Sequence, residues 1–163
     1  MEVAATISRS EAVSAQSLIP PDRDRVALSS GAVLQRLPVV DEPRGMLVFA
    51  EIARHLSFAP KRFFAVYAVP KGEVRGCHAH HEGHEFLISL RGTWNFLLDD
   101  ARTRQTIALD TSNVGLHIPP RVWRAFYPDD ADAVLASLSS ETYSAVDYIR
   151  DYETFARMMR GRG

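Results

Sequence analysis

Cysteine is nearly absent from this chain of 163 residues: Cys77 stands alone, so no internal disulfide framework holds the fold. Set among histidines, Cys77 is a candidate reactive thiol, although its size suits a small buried residue beside a site better. Long apolar runs are missing as well, and no stretch approaches the roughly 18 apolar residues that span a bilayer. The amino-terminal segment shows no basic leader ahead of an apolar run, so no secretory signal is expected and a cytoplasmic protein is. Charge of one sign is also lacking. Lys and Arg number 19 against 20 Asp and Glu, a formal net charge of −1. Nothing in that balance argues for a duplex nucleic acid or a membrane surface as partner, and it leaves room for a local basic site that grips a phosphate. Nor is there an internal repeat or any sign of a second domain; the length fits one domain with a sizeable core.

What the chain does contain is a concentration of histidine. Of its six histidines, four (His78, His80, His81 and His84) fall between Lys71 and Gly92, with Arg75 just before them and Glu85 just after. Successive side chains on a strand point to opposite faces, so His78 and His80 share one face and Ala79 packs on the other. Two imidazoles on one face, flanked by a guanidinium and a carboxylate, read as a site rather than as core.

Around this stretch the texture is that of short strands. Residues 1–30 are rich in Ala, Ser and charge and are punctuated by Pro20 and Pro21, which leaves a disordered tail or a short docking helix as alternatives. From there, strands are expected over 33–37, 46–50 and 61–69, with a turn over 41–45. Further strands are expected over 93–98, 105–109, 114–118, 122–126 and 133–138. Close, regular spacing of this kind argues for an all-β sandwich or barrel, here over residues 31–163 as one domain. Only the end changes period. From about Ser144, the residues Val146, Ile149, Tyr152, Phe155 and Met159 recur at three- and four-residue steps, which predicts one amphipathic helix packed on the barrel.

The central spacing matches a known pattern position by position. Gly72, then His78 and His80, then Glu85, then Gly92 are similar to the first motif of the cupins. A second motif resembles Gly115 to Arg124, but Arg124 stands where that family's final metal-binding histidine would fall, and a guanidinium offers no lone pair to a metal. A finer resemblance runs from about Leu34 to Phe155. The strings Lys61–Phe64, Arg75–His80, Leu98–Asp100, Gly115–Pro120 with Trp123, and Asp147–Tyr152 look like those of the nucleotide-sugar 3,4-ketoisomerases, the WxcM-like cupins.

This resemblance implies a cupin-like jelly-roll barrel with a short C-terminal helix. It also implies a homodimer with no cofactor and no metal, acting on dTDP-4-keto-6-deoxyglucose in deoxyamino-sugar biosynthesis. Within it, His78 and His80 are the catalytic pair. Glu85 departs from the glutamine usual in the family. The chemistry suits the residues in their own right. Moving a ketone from C4 to C3 takes a proton from C3, passes through an enediol and returns a proton at C4, work for groups that titrate near neutrality. Arg75 is placed to neutralise an enediolate or a phosphate. Arg62 and Arg124 are candidates for the diphosphate, Tyr67 for the sugar or as an acid, and Trp123 for stacking on a base or sugar. The plainer readings are surface arginines, a core tyrosine, and an aromatic filling the barrel mouth. His81 and His84 are expected in solvent, His55 and His117 without partners, and Arg157, Arg160 and Arg162 at a solvated end. Three rivals stand beside the isomerase: a metal-dependent enzyme using His78, His80 and Glu85, a nucleotide-sugar 3,5-epimerase, and a non-catalytic sugar-nucleotide-binding cupin.

Overall fold

The computed structural model describes residues 12–161. In chain order the strands are β1 (Val13–Ser14), β2 (Arg25–Ala27), β3 (Val33–Arg36), β4 (Val39–Glu42), β5 (Gly45–Val48), β6 (Arg62–Val66) and β7 (Arg75–His80). There follow β8 (Glu85–Arg91), β9 (Trp94–Asp99), β10 (Arg104–Leu109), β11 (Val114–Ile118), β12 (Trp123–Pro128), β13 (Val134–Ser139) and β14 (Tyr148–Ile149). Two short helices, α1 (Ala15–Leu18) and α2 (Tyr152–Arg160), complete the set.

Twelve of these strands make two sheets. The first runs β1-β10-β9-β12-β7-β14, and the second β2-β3-β11-β8-β13-β6. Strand alternation decides what lies between them. Leu34, Leu87 and Leu116 of the second sheet meet Trp94, Phe96, Leu98, Ile107 and Phe126 of the first in one buried cluster. The residues of opposite parity face outward. On the first sheet, Ala79, Leu97 and Trp123 pack under Ile149 and Phe155. On the second, Phe86 packs with Leu37 and Leu56 of the segment that crosses it. This is the two-sheet, mostly β barrel with one short C-terminal helix that the resemblance implied.

Three local readings are corrected or completed. Helix α2 starts at Tyr152, where the Asp151 side chain accepts from the Thr154 backbone N–H at 2.7 Å and caps it, rather than at Ser144. Residues 145–147 form a single 3₁₀ turn, and Tyr148 and Ile149 pair with His80 and Ala79 of β7. Ile149 therefore packs as an outward-facing strand residue, while Val146 is 84% exposed. The three- and four-residue spacing arose from a strand and a helix in succession. Secondly, β4 and β5 pair only with each other as a hairpin apart from both sheets. Thirdly, residues 12–30 dock: β1 pairs with β10, β2 with β3, and Ala15 and Ile19 lie in the main core. The expectation for residues 1–11 lies outside the described residues, as does that for Arg162. Among the described residues, no helix is long and apolar enough to cross a membrane.

Candidate active site

A backbone irregularity prepares the site. Gly76 and Cys77 both take positive φ, 85° and 49°, and the pairing of β7 with β12 shifts register there, from Arg124 opposite His78 to Ala125 opposite Gly76. Such a bulge re-aims the residues that follow it, and beyond it His78 and His80 both turn into the barrel while Ala79 turns out. Cys77 itself packs against the outer cluster, and burial pushes its thiol pKa up, which makes it a poor thiolate.

The two imidazoles stand edge to face, 5.0 Å between ring centroids, and the Tyr148 ring closes on both, at 4.8 Å and 4.4 Å. Each ring is oriented by its Nδ1. That of His78 lies 2.9 Å from Gly76 O; a carbonyl only accepts, so Nδ1 carries the proton and Nε2 presents a lone pair. His78 Nε2 is buried with no hydrogen-bond partner among the described residues. Burial, and then the charge of Arg124, push the His78 pKa down to about 3, so this ring is neutral at physiological pH.

His80 is held differently. Its Nδ1 donates to Asp147 Oδ2 at 2.8 Å, and Asp147 in turn accepts from the Glu82 and Gly83 backbone N–H groups. Burial works to raise the Asp147 pKa, but these donors and the His80 charge outweigh it and lower it. On the other side, His80 Nε2 is 3.4 Å from Glu85 Oε1. The imidazolium form of His80 thus has a carboxylate facing each nitrogen.

Glu85 enters from the second sheet, where β8 begins, and meets Arg124 Nη2 at 2.5 Å; both side chains are buried. Desolvation pushes the Glu85 carboxyl up, yet the Arg124 guanidinium and His80 hold it well below the usual carboxylate range. Ligand atoms of His78, His80 and Glu85 lie within 4.8 Å of one another, the separation a facial triad would need. The set nevertheless does not fit a divalent cation. The carboxylate's counter-charge is Arg124, fixed beside it in a buried place, and a metal ion there would face a guanidinium that cannot be deprotonated.

The other candidates separate by strand parity. Arg124 points inward, with its guanidinium against Glu85 Oε2 and His78 O. Trp123, its neighbour, points outward and is 1% exposed against Tyr152 and Phe155; it is core, so the stacking role is corrected. Tyr67, expected on a strand, lies just past the end of β6 and is 68% exposed; with Arg75, also exposed, it lines a separate cavity of about 200 Å3. Arg62 does reach the interior, with Nη2 at 3.4 Å from Tyr148 Oη and 3.5 Å from Ser139 Oγ.

The spacing of the sequence gives Asp147 and Tyr148 no role in the site, because it predicts a helix where the chain forms a 3₁₀ turn and a strand. His84 and His117, expected in solvent and without a partner, instead hydrogen-bond to each other at 3.0 Å on the outer face of the second sheet. His55 Nδ1 accepts from the Glu51 backbone N–H.

Comparisons with known proteins place this geometry. The family described as "FdtA: WxcM-like, C-terminal" matches residues 30–160. A TDP-4-oxo-6-deoxy-alpha-D-glucose-3,4-oxoisomerase of Aneurinibacillus thermoaerophilus is 35% identical over 116 residues, 71% of this chain and 84% of that one. The solved QdtA sugar 3,4-ketoisomerase of Thermoanaerobacterium thermosaccharolyticum, in complex with TDP, superposes with a TM-score of 0.79 at 30% identity, covering 83% of this chain and 98% of that one. A 3,4-ketoisomerase from Helicobacter canadensis gives a TM-score of 0.76 at 32% identity over 79% and 97% of the two chains.

Proposed function

This chain belongs to the FdtA, WxcM-like family, and on that premise we propose that it is a TDP-sugar 3,4-ketoisomerase, converting TDP-4-keto-6-deoxyglucose to the corresponding 3-keto sugar. The QdtA enzyme solved with TDP has also been solved, as a mutant, with TDP-4-keto-6-deoxyglucose.

The observation that carries the reading is the lone pair of His78 Nε2, buried beside His80 with its Asp147 partner. Substrate and product are isomers, so the reaction needs two proton relocations and no external oxidant. His78 Nε2 takes the proton from C3 and returns it to C4 on the same face, which moves the carbon-bound hydrogen. His80 gives a proton to O4 as the enediol forms and removes one from O3 as it collapses, which moves the oxygen-bound hydrogen. Glu85 and Asp147 flank His80 while it is charged, and Arg124 balances Glu85. Arg62, which reaches the interior, is the cation on hand for the diphosphate, and Tyr148 Oη is a hydroxyl within reach of the sugar. No step is assigned to a metal or cofactor.

The working molecule is proposed as a homodimer in the cytoplasm. The β4–β5 hairpin leaves Val40, Met46 and Leu47 exposed, at 40%, 71% and 58%, and a two-stranded hairpin with no sheet behind it is marginal in water.

The test is His78→Asn, which keeps an amide near the Gly76 carbonyl and removes the base. Turnover is expected to drop by a factor on the order of 10²–10⁴ while TDP binding is retained. Full activity in this variant would remove His78 from the mechanism.

A further inference from the structure

A cavity of about 610 Å3 lies on the opposite side of the second sheet from the histidines, lined in part by Arg25, Gln35, Arg36, Arg54, His55 and Asn113. Register fixes its position. Arg25 is opposite Gln35 and Gln35 opposite Gly115, whereas the neighbouring Leu34 and Leu116 point into the core between the sheets. His78, His80 and Glu85 belong to that inner side, so the thickness of a sheet separates cavity and active site.

Its chemistry is cationic in a chain that is not. Three guanidiniums line it against the carboxylates of Asp24, 3.8 Å from Arg36 Nε, and Glu51, 3.2 Å from Arg54 Nη1. Among the described residues, no carboxylate pairs with Arg25. Its charge is felt instead by His117, whose pKa it helps to lower. Because Glu51 N–H donates to His55 Nδ1, the neutral His55 ring keeps its proton on Nε2 as one more donor. Gln35 is 6% exposed and commits its amide nitrogen to Asp24 O and Arg36 O, leaving its oxygen to accept. One unbalanced guanidinium, two more within the same walls and a neutral acceptor beside them suit an oxyanion that carries hydroxyl groups. The volume falls within the roughly 300–1,000 Å3 of small-molecule sites.

We propose that this cavity is a second ligand site, distinct from the catalytic one, for a phosphate-bearing small molecule of nucleotide size. Arg25 and Arg54 grip the phosphate, and Gln35 meets a hydroxyl.

The probe is inorganic pyrophosphate, titrated calorimetrically into the full-length protein. Saturable binding is expected in the wild type and in His78→Asn. In the Arg25→Ala/Arg54→Ala double variant it is expected to be weaker by about tenfold or more. Both arginines are exposed and outside the catalytic machinery, so kcat/KM for the keto sugar should be unchanged. A wild type that does not bind, or equal binding by the double variant, overturns the proposal. A rise in KM in the double variant also overturns it, by moving these arginines to the catalytic site.

Discussion

At the scale of single residues, what distinguishes the site is which polar atoms are committed and which are left free. Gly76 O fixes the His78 tautomer, Asp147 fixes His80, and Arg124 holds Glu85, which leaves the Nε2 atoms of His78 and His80 as the ring nitrogens without a hydrogen-bond partner among the described residues. The departure at Glu85 becomes intelligible beside Arg124. A buried carboxylate needs a counter-charge, and the residue that stands in place of a metal-binding histidine supplies it. Sequence could show both departures but not that they compensate, because Glu85 and Arg124 lie on different sheets.

Histidines held neutral also set an acid limit on stability. Burial and then Arg124 bring His78 from an ordinary 6.5 to about 3, and burial and then His84 bring His117 to about 4. The unfolded chain therefore binds protons below about 6.5 that the folded chain refuses, so stability is fully present above that value and is lost as pH falls through the window. The urea midpoint is expected to fall between pH 7 and pH 4.5, and to fall less in His117→Asn. A midpoint that is flat or rises on acidification would contradict this.

At the scale of elements, the second sheet depends on one absent side chain. Gly115 sits under the Phe86 ring, and a Cβ there would lie 2.1 Å from Phe86 Cζ. Gly115→Ala is accordingly expected to cost about 1–3 kcal/mol in urea unfolding, since the ring must leave a packed cluster. An unchanged midpoint would show that Phe86 relaxes freely. The strands themselves were legible because inward and outward residues alternate, as in Leu34 beside Gln35 and Trp123 beside Arg124. The C-terminal segment was not. Ile149 and Phe155 both pack outside the first sheet, one from β14 and one from α2. Spacing alone could not divide them, because a two-residue strand is too short to show a period. That misreading hid Asp147 and Tyr148, which reach the site only because the chain pairs with β7 before it becomes helical.

At the scale of the molecule, the sequence marked the histidine pair and the barrel, yet not which candidate arginines face inward. Arg62 and Arg124 do so, and Arg75 stays outside. Parity decides this only once the bulge at Gly76 and Cys77 is known, and the signal for it in the sequence is the glycine inside the strand. The proposed dimer is tested at this scale. Met46→Asp/Leu47→Asp should shift the wild-type dimer toward monomer in sedimentation, with little loss of monomer stability, because both residues are already exposed. A double variant as dimeric as the wild type would place the interface elsewhere.

The most direct test of the chemistry is NMR of the purified protein with TDP-4-keto-6-deoxyglucose in deuterated water, with a chelator present. We expect a 3-keto sugar to form despite the chelator, with the proton returned to C4 from the face on which His78 removed it from C3. Exchange at C5 without ketone migration, or activity that vanishes with the chelator, would contradict isomerisation by the histidine pair.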